Sequence, residues 1–405
     1  MRQATSILAD THHDLDPVPA SLFDLLHNSL ILLNTVPHLS ISSILNLAAT
    51  NHAFRALIHH TPGVFRHVNL TRTKRAQLND CSHHDDEMLT EDELYSGPLR
   101  NVLATLSRRN WLHHVQTLVL DHLSVTAELC SDIINHGSYN VRILSIRDVT
   151  NLNHAKLQGA LHYACRRSRP SGAPRLKGLY IFGSGDDDSW WTQRGPIATS
   201  SMSDAWASCI AACQSLIAFD AMLCRGPRHI NASRDGTASP AAATVTLSAC
   251  ASCGTAPENL LHPRSPAALP LVAPPPLLSS SLGAATMPHA YWSPFTARCN
   301  ECLRGRYCAS CHKWWCEACY AGARGDATLD SIVEAMSALR LKRQVSKSCW
   351  ECGDNCESCI GQTQRVCRKC CGGYCTKHNE GSVIGVSREA VVSVDYELES
   401  QLSCG

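Results

Sequence analysis

The sequence predicts a multidomain chain: a small α-helical module, an α/β leucine-rich-repeat-like stack, and a zinc-stabilised cysteine-rich C-terminal region with interleaved sites of RING or ZZ type. Three observations carry this expectation. Helical apolar periodicity with capping residues fills residues 21–70, and an apolar-x-x-apolar-x-apolar strand pattern recurs within 99–249. Fourteen of the 23 cysteines lie between Cys299 and His378, most of them in Cys-x-x-Cys pairs.

A chain of 405 residues is too long for one ordinary small core, so two or three domains are expected. With 36 basic against 35 acidic residues the net charge is +1, which supplies no global attraction for nucleic acid or an anionic membrane. The first residues lack a signal-peptide apolar core, and no run of about 18 apolar residues occurs. The expectation is a soluble protein of the cytoplasm, the nucleus or both. In a reducing compartment so many cysteines argue for metal rather than disulfides.

Taken in order, residues 1–20 form a polar tail. The helical module occupies 21–70, with Ser40 opening a second helix over Ile41, Ile44, Leu45 and Leu47, and a third helix from about Asn51 to His60 before the Thr61-Pro62-Gly63 breaker. So small a unit leaves an apolar face in search of a partner. The run Ile31 to Leu57 resembles an F-box, although a plain three-helix packing unit fits the same residues. The resemblance implies docking to a Skp-type adaptor, and through it to a cullin, by Leu32, Val36, Leu39, Ile44, Leu45, Leu47, Phe54 and Leu57.

Residues 71–98 are polar and acidic, with Asp85-Asp86-Glu87 and Glu91-Asp92-Glu93, and are expected to be a linker. Cys81, His83 and His84 there read as a solvated loop. Within 99–249 the strand pattern appears at Leu118, Leu144, Leu179 and Leu216, at intervals of 26, 35 and 37 residues. The longer intervals fit the repeat if 166–174 and 183–195 are inserted loops. Ser124, Asn153 and Ser203 are expected to cap the intervening helices. The units then build an open curved stack, its strand face free for a target protein, with a generic α/β domain as the alternative. Cys209 and Cys213, one helical turn apart, read as small buried apolar residues.

The segment 250–290 combines a Cys250-x-x-Cys253 knuckle with a Pro-, Ala- and Ser-rich loop. The region 291–380 holds the two cysteine clusters, joined by an expected amphipathic helix from Asp326 to Arg343, and 381–405 is a tail. Interleaving, in which the first pair shares an ion with the third and the second with the fourth, gives four zinc ions and sixteen ligands. Cys299 and Cys302 join Cys316 and Cys319, while Cys308 and Cys311 join Cys250 and Cys253. Cys349 and Cys352 join Cys367 and Cys370, while Cys356 and Cys359 join Cys375 and His378. Cys371 and Cys404 are left over.

Such closed shells read as structural zinc. A RING-like platform for a ubiquitin-conjugating enzyme, or a zinc-dependent interaction or chromatin module, are the other readings. Twelve Lys and Arg against eight Asp and Glu between Cys299 and His378 argue against a nucleic-acid finger. Trp315-Cys316-x-x-Cys319 has the form of a thioredoxin tetrad but lacks the βαβ context, and nothing marks a catalytic residue.

Several blocks together resemble a family of filamentous-fungal proteins labelled F-box or ubiquitin fusion degradation proteins. They are the F-box run, Ile217 to His229, Cys250 to Glu258, and Cys299 to His378. The resemblance implies a non-catalytic substrate receptor of a cullin-type ubiquitin ligase, with a stand-alone RING-type ligase as the alternative.

Overall fold

The computed structural model describes residues 21–77, 90–184, 195–196, 202–229, 240–255, 269–287, 295–320, 344–347, 352–366 and 373–377. The chain opens with helices α1 (Leu22–His27), α2 (Ser29–Thr35), α3 (Ile41–Thr50) and α4 (His52–His60), and a short 3-10 turn at Val36–His38 comes directly after α2. Their starts are written in the sequence. Ser21 and Asp24 form a capping box, and the side chains of Asn28, Ser40 and Asn51 accept backbone N–H groups of α2, α3 and α4.

Leu26, Leu32, Val36, Ile44, Ala48, Phe54 and Ile58 point inward, onto Val64, Phe65 and Leu70. Phe65 stacks on Trp111 at 4.1 Å between ring centroids. These residues share one apolar core that runs from Leu26 to Ala221. The helical module is therefore fused to the sheet and its helices rather than held on a linker. Strand β1 (His67–Asn69) makes the join by pairing in parallel with β2 (Thr117–Val119).

The expected linker over 71–98 is corrected at its end, because α5 (Glu91–Arg108) starts inside it. Thr90 and Glu93 form its capping box, and Glu91, Asp92 and Glu93 sit in its first turn, where the helix dipole favours negative charge. The acidic run thus marks a helix start. Ser96, Leu99, Leu103 and Leu106 of α5 are buried, and Ser96 exchanges hydrogen bonds of 2.9 Å with Thr126.

Beyond β2 come α6 (Ala127–Asn135), β3 (Ile143–Ser145), α7 (His154–Cys165), β4 (Gly178–Tyr180), β5 (Gly195–Pro196), α8 (Asp204–Cys213) and β6 (Ala218–Phe219). The main sheet has the order β1-β2-β3-β4-β6, all pairs parallel and each strand beside its predecessor in the sheet. Val68, Leu118, Leu144, Leu179 and Phe219 stand in register across it. They face α5 to α8 in the main core. Asn153 and Ser203 cap α7 and α8 as expected.

Two details differ from the sequence reading. Thr126, not Ser124, caps α6, since the Ser124 hydroxyl instead accepts from Asn151 Nδ2 at 2.9 Å. The strand residue of the last repeat is Phe219 rather than Leu216, because Leu216 lies in the turn after α8.

The second face of the sheet carries a larger correction. Ile143, Tyr180 and Ala218 project from it and are covered by Leu271, Leu282 and Ala285. These belong to the segment expected to be a loose Pro-rich loop. Residues 269–287 of it are instead a strap with its own short helix, α9 (Leu282–Thr286), capped by Ser281. Leu271 N–H donates to Phe219 O at 2.8 Å, and Tyr180 OH donates to Ala273 O at 2.6 Å. Arg66 donates twice to Ser280 Oγ, at 2.9 and 2.7 Å. A parallel sheet is stable when both faces are dry, and here the chain covers part of its own strand face.

The C-terminal part adds β7 (Val245–Leu247) and β8 (Thr296–Arg298), which pair antiparallel in the order β5-β7-β8. After them come helix α10 (Asn300–Leu303), strands β9 (Ser346–Lys347) and β10 (Asp354–Asn355), α11 (Glu357–Thr363), and the hairpin of β11 (Gln364–Val366) and β12 (Gly373–Cys375). The helix expected over 326–343 lies outside the described residues. Among the described residues, no helix is long and apolar enough to cross a membrane.

Candidate metal centres

Three groups of four soft ligands converge among the described residues, each with its ligand atoms within 4.8 Å of one another. Site A is Cys224, His229, Cys299 and Cys302. Site B is Cys250, Cys253, Cys316 and Cys319, and site C is Cys308, Cys311, Cys356 and Cys359.

Sites B and C are built alike. Each begins with a knuckle: Cys250 N–H donates to Thr255 O at 2.7 Å, and Cys308 N–H to Lys313 O at 2.8 Å. Four residues after the first cysteine, Gly254 and His312 adopt positive φ values of 67° and 58°, and their N–H groups return to the first cysteine's carbonyl at 2.9 Å in each case. That left-handed turn aims both sulfurs of the knuckle at one point. The second pair of each site sits on a helical turn, where Cys319 N–H donates to Cys316 O and Ile360 N–H to Cys356 O, both at 3.0 Å. The third cysteine's N–H then donates to the first sulfur at 3.3 Å in both sites, Cys316 to Cys250 and Cys356 to Cys308. Such N–H···S bonds stabilise thiolate, the form that binds metal.

The spacing between sulfurs fits an ion. Cys253 and Cys316 are 3.9 Å apart and Cys311 and Cys356 are 3.8 Å apart. A tetrahedron with Zn–S bonds of about 2.3 Å places its sulfurs roughly 3.8 Å apart, whereas a disulfide needs about 2.05 Å. The thiols of a site cannot all ionise at this distance without a cation. In site A the neighbouring Cys224 and Cys302 hold Cys299 far below the usual thiol range, while Cys224 and Cys299 push Cys302 far above it. In site B, hydrogen bonds with Thr255 pull Cys253 down to about 6, and Cys316 pushes Cys319 up to about 12.

Site A differs in its donors and its place. Cys299 caps α10, and His229 Nε2 lies 2.9 Å from Cys299 Sγ. The loop from Cys224 to His229 leaves the main sheet directly after β6, so site A ties the sheet to the cysteine-rich region. Gly226 is required there, because a Cβ would run into the Cys302 sulfur. Arg228 anchors the same loop, donating to Glu317 Oε1 at 2.8 Å and to Glu301 O at 2.7 Å.

The interleaving expected from sequence is present: pairs starting at Cys250, Cys308, Cys316 and Cys356 alternate between sites B and C. The ion-by-ion assignment is corrected. Cys299 and Cys302 do not join Cys316 and Cys319, because the ligands they need come from Cys224 and His229. Cys250 and Cys253 join Cys316 and Cys319 instead of Cys308 and Cys311, which join Cys356 and Cys359. Cys375 lies 3.7 Å from Cys352, not with Cys356 and Cys359. The other ligands expected around that pair, Cys349, Cys367, Cys370 and His378, lie outside the described residues. Cys224 and His229 carry no Cys-x-x-Cys signature. Their separation of five residues beside a glycine and a proline is the only signal the sequence offers.

With four protein ligands each, sites A, B and C leave no coordination position for water or substrate. That is the arrangement of a structural metal rather than a catalytic one.

The residues expected to meet an adaptor divide by burial. Leu39 and Leu45 are exposed, and Leu47 and Leu57 are partly buried against the core. Leu32, Val36, Ile44 and Phe54 are buried in the core and present no surface to a partner, a correction that comes from their packing against Phe65 and its neighbours. Leu22, Leu25, Leu30 and Ile31, on α1 and α2, are exposed. Comparison with family models, with curated proteins and with solved structures finds no match to this chain.

Proposed function

We propose that this protein is a non-catalytic substrate receptor of a cullin-type ubiquitin ligase, with an F-box formed by α1 to α4 and a leucine-rich-repeat-like stack formed by β1 to β4 and β6 with their helices. The observation that supports it most is the apolar surface of the first three helices. Leu22 is 58% exposed, Leu25 48% and Leu30 71%, with Ile31, Leu39 and Leu45 beside them in sequence. Scattered apolar residues on a surface are ordinary, but a concentration on one small module points to a protein interface. The module's inner face is fused to the repeat core, so an adaptor held by α1 to α3 would be fixed relative to whatever the rest of the chain binds. Four zinc ions, three in sites A to C and a fourth around Cys352 and Cys375, act as structural staples.

Co-purification of the full chain with a Skp-type adaptor and a cullin tests the proposal. The wild type is expected to retain both, and the Leu39→Asp, Leu45→Asp double variant to lose them while keeping its fold and zinc. A wild type that retains neither, or a double variant that binds equally well, overturns it.

The alternation of sites B and C supports a second reading, a RING-type platform for a ubiquitin-conjugating enzyme. On that reading, the purified protein forms ubiquitin chains with activating and conjugating enzymes alone, with no cullin present.

A further inference from the structure

The links that run from each helix of the stack into the next strand lie along one edge of the main sheet, because its strands are parallel. They are residues 61–66, 109–116, 136–142, 166–177 and 214–217. Together they carry eight Lys or Arg and no Asp or Glu. Elsewhere in the stack three cations pair with carboxylates: Arg147 with Asp121 at 2.8 Å, Arg100 with Asp92 at 2.6 Å and Lys156 with Glu128 at 2.7 Å. Among the described residues, none of the eight has such a partner.

The backbone lines these charges up. Arg66, Gln116, Arg142 and Lys177 each stand one residue before a strand. Arg66 O accepts from the Gln116 N–H at 2.9 Å, Gln116 O from Arg142 at 2.7 Å, and Arg142 O from Lys177 at 2.7 Å. At about 4.8 Å per strand the row is roughly 14 Å long. Like charges on adjacent strands work against folding. Burial, then the positive charges of Arg169 and Arg142, push Lys177 below the usual lysine range.

Helix ends explain part of the pattern. Arg109 and Arg166 directly follow α5 and α7, where a cation offsets the helix dipole. Arg66, Arg142 and Lys177 adjoin strands and have no such role. Several of the cations are oriented by uncharged oxygens: Arg169 Nε donates to Ala173 O, Arg175 Nη1 to Tyr139 O and Lys177 Nζ to Pro174 O, each at 2.9 Å. Their directions are set while their charges stay unneutralised. Arg142 is exposed and, among the described residues, its side chain makes no hydrogen bond.

A row dominated by arginine suits carboxylates or phosphates. Its surroundings favour carboxylates on a protein. The Phe, Trp and Tyr residues of the links are Phe65 and Trp111, buried against each other, and Tyr139, which is half-buried, so bases find no stacking platform. A nucleic-acid backbone carries its charge far past 14 Å, whereas four or five residues of extended chain at about 3.3 Å each match the row.

We infer that the edge bearing Arg66, Arg142, Arg169, Arg175 and Lys177 is a docking surface for a short acidic segment of a partner protein, bound extended with Asp or Glu at alternate positions. This docking needs neither adaptor nor cullin and does not rest on the ligase reading. If both hold, this edge selects the target.

The test is fluorescence anisotropy with the zinc-loaded full chain and a short labelled peptide bearing glutamate at every second position. Saturable binding is expected at about 50 mM salt, weakening as salt rises, with none for the same peptide carrying serine in place of glutamate. Arg142→Gln should weaken binding about two- to fivefold, and the Arg142→Gln, Lys177→Gln double variant by more. Lys156→Gln, whose charge is already paired, should bind as wild type does. Because Arg142 holds no other group in place, its variant should melt at the wild-type Tm and so separates lost binding from lost folding. Absence of saturable binding, or equal binding by the double variant, overturns the inference. So does an oligonucleotide of equal charge that binds more tightly than the peptide and is lost in the same variants, since the edge would then be a nucleic-acid surface.

Discussion

Arg306 is completely buried between two metal sites, and its guanidinium fixes their spacing. Nε donates to Cys302 O of site A at 2.6 Å, and NH1 donates to Trp315 O, next to Cys316 of site B, at 3.1 Å. Its charge also lies 5.7 Å from the centre of the Trp314 ring, itself buried under the Cys250 knuckle. Leucine at 306 would strand two buried carbonyls, a loss of roughly 2–4 kcal/mol. Arg306→Leu is expected to fold less stably and to release zinc to a colorimetric chelator several-fold faster than wild type, whereas equal release rates would show that the sites are independent of this residue. His67 makes a different prediction. Burial depresses it to about 4, and its Nδ1 has no hydrogen-bond partner. A histidine kept neutral in the fold contributes stability that is complete above its unfolded value near 6.5 and is lost as pH falls toward 4, because the unfolded chain takes up the proton first. Between pH 7 and pH 5 the loss is on the order of 1–2 kcal/mol. His67→Gln should therefore have a flatter dependence of Tm on pH across that range than wild type at equal zinc content. Neither residue is marked in the sequence, since a single arginine or histidine acquires its role only from the groups packed over it.

At the scale of elements, β4 and the strap over it show what sequence pattern can and cannot supply. Leu179 was legible as an inward strand residue from its spacing to Leu144, because that spacing reflects a local repeat of strand and helix. The caps Asn153 and Ser203 were legible for the same reason, as each acts within its own helix turn. The strap was not, since Pro, Ala and Ser composition reads as a loop until the sheet face that orders it is known. Strand β1 was hidden in the same way: Val68 has too few neighbours of its own to show a period and is defined by Leu118 across the sheet. Gly178 is where strap and sheet come closest. A Cβ there would sit 3.3 Å from Leu271 Cδ2 and 3.6 Å from Leu282 Cδ1, so a bulkier residue must displace one of them. Gly178→Val is expected to lift the strap while leaving the other face of the sheet packed. Limited proteolysis should then cut within 269–287 several-fold faster than in wild type, with the helical signal unchanged. Equal cutting rates would mean that Leu271 and Leu282 do not hold the strap down.

For the whole molecule, the division that matters is between cores built around candidate metal ligands and a core that contains none of them. The core from Leu26 to Ala221 is aliphatic and aromatic, and none of the ligands of sites A to C belongs to it. The cores around Trp314 and Met222 are small and interleave apolar side chains with the ligands themselves, among them Cys250, Cys308, Cys316, Cys299 and Cys302. So few apolar residues are a weak basis for folding, and a structural zinc supplies about 10–16 kcal/mol of apparent binding energy per site. The sequence made the candidate ligand pairs legible because a Cys-x-x-Cys turn is a local signal. It could not assign the ions, because the partner of each pair is set by tertiary folding: Cys250 meets Cys316, 66 residues away, and Cys224 finds its partner across the strap. Chelation is therefore expected to divide the molecule. With a strong zinc chelator, the fluorescence of Trp314 and Trp315 should shift toward that of exposed indole, and sites A to C should lose their metal. The far-ultraviolet helical signal, which comes mainly from α1 to α8, should persist and melt in a separate, later transition. Loss of both signals in one cooperative step would show instead that site A, at the end of β6, is needed to hold the main sheet together.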